Sequence, residues 1–198
     1  MRIIHGTPWG INMAHIFVLI GASGVGKTTI AKQVVLNSEY LVMPVGVTTR
    51  RPRVDEKQYI DYRFISQPQF KGWKHTGLFI ETTKVRDEYY GYLKEDINNP
   101  MEHGYDILLI LTHQGLAPLK KLYEDQVTSI FIAPPSEAEL IQRRIKRRED
   151  TPFNLDPDLF GKNHSYSFTI VNNHLPTACR QVGFIREFVK RGKKANYD

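Results

Sequence analysis

Eight consecutive residues constrain this chain more than any others. Gly21-Ala22-Ser23-Gly24-Val25-Gly26-Lys27-Thr28 fits the spacing G-x-x-x-x-G-K-[ST], in which glycines let the backbone turn its N–H groups onto phosphate oxygens. The pattern has meaning only between a strand and a helix, and both are predicted. Ile16 to Ile20 is an apolar run stopped by Gly21, while Ile30, Ala31, Val34 and Val35 recur at helical spacing over Lys27 to Leu36, with Asn37-Ser38 as a stop signal. The new helix turns its positive N-terminus toward the same anion. Lys27 has the reach for the β- and γ-phosphates, and the Thr28 hydroxyl is a ligand for Mg²⁺. Gly21 to Thr28, with Thr29 beside them, is therefore the expected nucleoside triphosphate cradle. A dinucleotide fingerprint is excluded, because Thr29 stands where its third glycine is required.

Composition narrows the class further. At 198 residues one domain is expected, burying on the order of 70% of the surface exposed by the unfolded chain. The lone Cys179 has no partner within the chain, so a disulfide scaffold is excluded and a reducing, cytoplasmic setting is expected. No apolar run approaches the roughly 20 residues that span a bilayer. Residues 1–15 hold no long apolar segment of the secretory kind. Met13 is an alternative start, with residues 1–12 as an N-terminal extension. The formal charge of +6, from 27 Lys and Arg against 21 Asp and Glu, suits nucleic acid, membrane surfaces or nucleotides and does not choose among them.

Past the cradle, Leu41 to Thr48 reads as a strand interrupted near Pro44. The next stretch, to about Tyr92, is rich in Arg, Tyr and Phe, with alternating runs at Tyr62 to Ile65 and Leu78 to Val85. We read residues 48–93 as an inserted β-rich lobe within a single domain over 13–198, whose core is 13–47 and 94–198. Tyr105 to Leu111 is a strand, Gln114 to Tyr123 a helix and Val127 to Ala133 a strand. Ser136 caps the next helix, with Glu139 as its capping-box partner. Ser167 to Val171 and Thr177 to Val189 form a last strand and a closing helix, followed by a polar, basic tail. Alternating strands and helices imply an α/β fold with a parallel sheet covered on both faces.

The lobe carries a second set of motifs. Thr48-Thr49-Arg50-Arg51-Pro52-Arg53, then Glu56, then Asp61-Tyr62-Arg63-Phe64-Ile65-Ser66, resembles the guanylate kinase family pattern T-T-R-x-P-R, E, D-Y-x-F-x-S. Phe79-Ile80-Glu81 is similar to that family's F-[LI]-E, and Tyr89-Tyr90-Gly91 to its Y-Y-G. Gln114-Gly115, Ile130 to Ser136 and Ile170 to Asn173 match in order. The resemblance runs from about residue 16 to 190. It implies a P-loop NTPase-type sheet, a nucleoside monophosphate-binding lobe and a helical lid at about 144–163. It also implies transfer of the ATP γ-phosphoryl group to GMP or dGMP with Mg²⁺. Guanidinium forks suit a phosphate monoester; by resemblance Arg50, Arg53, Tyr62 and Tyr90 bind the acceptor phosphate and Glu81 the guanine. Arg144 and Arg148, four apart on one helix face, match lid arginines that join Lys27 at the transferring phosphate, and Lys162 is a further lid candidate. Asn172 and Asn173 lie either near the adenine or in a strand-end turn.

Four positions depart from the family. Gly46 replaces a serine two residues before T-T-R, and Tyr92 replaces the Ser or Thr after Y-Y-G, so two hydroxyls that contribute to guanine recognition are absent. In Leu109-Ile110-Leu111-Thr112-His113-Gln114-Gly115, Ile110 and Thr112 replace two aspartates. Thr112 retains a hydrogen bond for the acceptor but no charge. Two other readings follow. One is a P-loop kinase for another phosphorylated acceptor, such as a ribose bisphosphate. The other is a weakened guanylate kinase-like binding module, although such modules usually have a damaged phosphate loop. The implied partners are small-molecule nucleotides, with neither membrane nor nucleic acid, and the chain acts as a monomer or homodimer. No metal-ligand spacing links the histidines; His113, beside the active region, is the one to test. Cys179 is expected in the core.

Overall fold

The computed structural model describes residues 14–146, Phe160 and residues 164–194. The first half contains β1 (Ile16–Ile20), α1 (Lys27–Leu36), β2 (Leu41–Val42), β3 (Val47–Thr48), β4 (Arg63–Phe64), α2 (Gln67–His75), β5 (Phe79–Val85) and β6 (Glu88–Leu93). The second contains α3 (Lys94–Glu102), β7 (Asp106–Ile110), α4 (His113–Tyr123), β8 (Val127–Ala133), α5 (Glu137–Lys146), β9 (Phe168–Val171) and α6 (Leu175–Lys194).

Five strands form a parallel sheet in the order β2-β7-β1-β8-β9. Side chains alternate across it with the two-residue period of a strand. Phe17 and Leu19 pack with Ile30, Val34 and Val182 on the α1 and α6 side. Ile16, Val18 and Ile20 pack with Ile97, Leu109 and Leu116 on the α3 and α4 side. Burial on both faces explains the continuous apolar runs, each large side chain contributing about 1.5–3 kcal/mol. This α/β architecture with a doubly covered parallel sheet is the one expected from the sequence.

The inserted lobe has its own sheet, ordered β4-β3-β6-β5, mixed in direction. Three readings need correction. Leu41 to Thr48 is not one interrupted strand: Leu41 and Val42 pair with β7, whereas Val47 and Thr48 pair with Tyr90 and Gly91 of β6. Pro44 lies where the chain leaves one sheet for the other. The β-rich lobe also carries a helix that the sequence reading did not place. Ser66 Oγ accepts from the Gln69 amide and caps α2, whose Phe70 is buried and stacks at 4.4 Å on Phe79. Finally, the basic tail after Val189 continues α6 to Lys194.

That extension has an electrostatic cause. Asp106, fully buried at the start of β7, accepts from Arg186 Nε at 2.8 Å, Lys190 Nζ at 2.7 Å and the His15 amide at 2.9 Å. A buried carboxylate is tolerated only with such pairing. Elsewhere, Ser136 Oγ accepts from the Glu139 amide at 3.1 Å, while the Glu139 carboxylate turns to Arg143 at 3.1 Å, one turn further on. Cys179 is half-buried rather than core, its Sγ donating to Gln33 Oε1 at 3.3 Å. Among the described residues no helix is long and apolar enough to cross a membrane.

Candidate active site

β1 lies at the centre of the sheet, and the loop after it opens at the carboxyl ends of the strands, where open α/β sheets bind ligands. Gly26 occupies the N-cap of α1 at φ 100°, a left-handed conformation, and no side chain caps the helix. A Cβ there would lie 2.6 Å from Asn172 Nδ2. Gly24, at φ 91°, is as restricted: its Cβ would meet Arg144 Cγ at 2.8 Å. Arg144 thus rests against the loop. Lys27 Nζ donates to the Gly21 and Ala22 carbonyls at 2.8 and 2.9 Å, which carries its charge back over the cradle. Thr28 and Thr29 are exposed in the first turn of α1. Arg148 and Lys162 lie outside the described residues.

Asn172 has a part in this loop that sequence reasoning left open. It is buried just after β9 and donates from Nδ2 to the Val25 carbonyl at 2.7 Å. Its own carbonyl accepts from Arg143 Nη2 at 3.0 Å, so Arg143 braces the asparagine. Asn172→Ala leaves a buried carbonyl without its donor, at a cost of about 1–3 kcal/mol. We expect a lower melting temperature, which thermal denaturation of the variant beside the wild type checks.

The lobe gathers a cationic and aromatic cluster. Arg50 Nη2 pairs with Glu56 Oε1 at 2.9 Å, its Nη1 donates to the Arg51 carbonyl at 2.8 Å, and its guanidinium lies 5.7 Å from the Tyr62 ring centre. The Arg53 amide donates to Glu56 Oε2 at 2.8 Å. Tyr62 and Tyr90 meet edge to face at 6.3 Å. Glu56 therefore braces both arginines. Burial pushes its carboxyl up, but the Arg50 hydrogen bond and the Arg53 amide outweigh that and hold it below the ordinary range. The sequence pattern contains Glu56 without showing this bracing role.

Glu81 is buried on β5, and burial pushes its pKa up to about 7 against the opposing hydrogen bond from Thr83 Oγ1 at 3.2 Å. Thr83 Oγ1 in turn accepts from Thr112 Oγ1 at 3.4 Å. Thr112 has a structural duty as well: it is the N-cap of α4, accepting from the Gly115 amide at 3.3 Å. Gly115 comes so close to Glu81 that a Cβ would lie 2.7 Å from Oε2. Three hydroxyl and carboxyl groups thus form a chain from the end of β7 into the lobe. Ile110 packs against the apolar cluster that contains Val25 and Ile30, beneath the cradle. His113 stacks on His164 at 4.5 Å.

The described residues contain no group of three or more His, Cys, Asp or Glu able to hold a metal ion. This donor set fits a cation carried by phosphate oxygens and one threonine hydroxyl, and does not fit a cage built by the protein.

The guanylate kinase family model matches residues 13–187. A guanylate kinase of Bartonella henselae is 33% identical over 184 residues, covering 89% of this chain and 82% of that protein. One from the Wolbachia of Brugia malayi is 31% identical over 188 residues, covering 91% and 96%. Among solved structures, the guanylate kinase of Anaplasma phagocytophilum aligns with a TM-score of 0.74 at 27% identity, over 92% of this chain and 87% of that one. With both the phosphate cradle and the lobe motifs inside the matched span, this chain belongs to the guanylate kinase family.

Proposed function

We propose that the protein transfers the γ-phosphoryl group of ATP to GMP or dGMP, giving ADP and the nucleoside diphosphate. The observation that carries this reading is the pairing, on one chain, of an intact triphosphate cradle with an arginine-tyrosine cluster braced by Glu56. The cradle holds the ATP phosphates on the amides of Gly21 to Thr29 and on Lys27. Arg50, Arg53, Tyr62 and Tyr90 hold the acceptor phosphate, and Glu81 accepts from the donor edge of the base. An acceptor phosphate oxygen attacks the γ-phosphorus in line; the bond to the bridging oxygen breaks and ADP leaves with its electron pair. Positioning and charge neutralisation supply the catalysis, and no covalent enzyme intermediate forms. Lys27 and Arg144 neutralise the charge that develops. Thr28, together with phosphate oxygens of the bound nucleotide, would hold Mg²⁺, which would supply electrostatic stabilisation of the phosphoryl oxygens.

Ile110 and Thr112 favour a second reading, because a kinase lacking both carboxylates positions its acceptor and hydrated cation with less charge. A phosphorylated sugar as acceptor, or a weakened binding module, fits that loss. An assay coupling ADP release to GMP, dGMP, AMP, CMP, UMP and a ribose bisphosphate separates these readings. Turnover with GMP or dGMP is expected, and release no faster than with ATP alone across the whole panel would sink the kinase reading. Arg50→Ala should raise the KM for GMP by about 10–100-fold, the effect of losing a charge-assisted pair worth about 1.5–3 kcal/mol, and leave the ATP KM within twofold.

A further inference from the structure

Three of the four positions at which this chain departs from its family touch one another. Gly46 lies against two tyrosine rings: a Cβ there would be 3.2 Å from Tyr62 Cε1 and 3.5 Å from Tyr92 Cε1. Tyr92, buried on β6, reaches out of the lobe sheet to the core sheet. Its hydroxyl donates to the Ile110 carbonyl and accepts from the Ile110 amide, both at 3.4 Å.

The backbone of β7 explains why that hydroxyl has work to do. The amides of Ile107 and Leu111 donate toward β1, to His15 and Leu19, whereas the Asp106 amide donates to Tyr40 on the β2 side. Alternation along the strand puts the Ile110 amide and carbonyl on the β2 side as well. β2 stops at Val42, whose partner is Ile107, so no strand reaches Ile110 there. Tyr92 supplies the missing donor and acceptor. Burial keeps its phenol protonated by raising its pKa.

We infer that the Tyr92 hydroxyl, through its two bonds to Ile110, fastens the acceptor lobe to the core sheet and makes Tyr92 a positioning residue for phosphoryl transfer. The inference rests on the proposed kinase reading. Gly46 lies beside both rings, with Tyr62 the tighter neighbour and Tyr92 at ordinary contact distance from where a Cβ would stand. Tyr92 follows Tyr90 by two residues on the same strand and pairs across the ladder with Glu81. Its anchorage therefore sets how two acceptor-site side chains stand relative to the core sheet and to the cradle that β1 carries.

Tyr92→Phe removes the hydroxyl and keeps the ring. It should lower kcat with GMP about tenfold while both KM values stay within twofold, a split that loss of stability alone does not produce at temperatures where the variant is folded. Gly46→Ser should raise the GMP KM at least fivefold by crowding Tyr62 and Tyr92. Adding Tyr92→Ser to Gly46→Ser should bring that KM back toward the wild-type value, because loss of the Tyr92 ring gives the serine and the Tyr62 ring room to move apart. Additive effects in this cycle, or an unchanged kcat in Tyr92→Phe, would overturn the inference. Circular dichroism melts confirm that each variant is folded, and if the double variant does not fold, the kcat of Tyr92→Phe still decides. An inactive wild type with every acceptor would instead count against the kinase reading.

Discussion

Lys27→Ala is expected to lower kcat roughly a thousandfold and to leave the protein melting within a few degrees of the wild type, a loss of the order found when one preorganised charge is removed from a phosphoryl or oxyanion site. The side chain reaches back to the Gly21 and Ala22 carbonyls, so its charge is already held over the cradle before nucleotide arrives. Little reorganisation is then needed as negative charge develops on the transferring group. Arginine is no substitute at this position, because a planar fork does not act as the compact point charge that the turn encloses. The check is the rate of ADP release in a coupled assay at saturating ATP and GMP, with melting temperature measured alongside. Retention of more than a tenth of the wild-type kcat would remove Lys27 from the mechanism.

Glu81→Gln should produce the second large effect, a fall of about 10²–10³-fold in kcat/KM for GMP with the ATP KM little changed. On the proposed reading, in which the Glu81 carboxylate accepts from the base, the substitution puts an amide donor where an acceptor is needed, and sites that read polar edges discriminate strongly for this reason. The pH dependence follows from the carboxyl pKa of about 7 in the free protein. Below that pH the group is protonated and accepts poorly, so kcat/KM for GMP should fall on acidification through about pH 7. Binding of the base favours the charged form and lowers the pKa, so kcat at saturation should hold to lower pH.

Stability runs the other way. A carboxyl raised from 4.5 to about 7 costs the free protein nothing below pH 4.5 and costs it increasingly as pH rises toward 7. The full penalty is about 3 kcal/mol at 1.36 kcal/mol per pKa unit. Glu81→Gln should therefore flatten this part of the stability profile, making the empty protein more stable than the wild type at pH 8 while abolishing its response to GMP. Urea melts at pH 5 and pH 8, with and without GMP, measure both quantities. A profile of unchanged slope in the variant would show that Glu81 is not the group responsible.

The cradle was legible because all its residues are contiguous and each is demanded by backbone geometry or charge. β1, α1 and β8 were legible for a related reason: the two strands are buried along their whole length, and α1 buries Ile30, Ala31 and Val34 at helical spacing. α3 was not, since its polar sequence has one fully buried anchor, Ile97, and a proline in its last turn; packing against the sheet makes it a helix. α2 carried a serine cap and an early proline as start signals, but the aromatic content of the lobe pointed to strands. Within the site, Asn172 escaped because its partner Val25 lies 147 residues away. Ile110 and Tyr92 looked like independent departures in the sequence, and only the fold shows them in contact.

The ion pairs around Asp106 also bear on how the chain is made. The carboxylate enters the sheet with β7, yet the two cations that compensate it stand 80 and 84 residues later, on the last helix. During synthesis, at about 5–20 residues per second, a nascent chain whose sheet had already closed around β7 would hold that carboxylate with only the His15 amide as partner until Arg186 and Lys190 had left the ribosome. Docking of α6 is thus the event that neutralises the Asp106 charge.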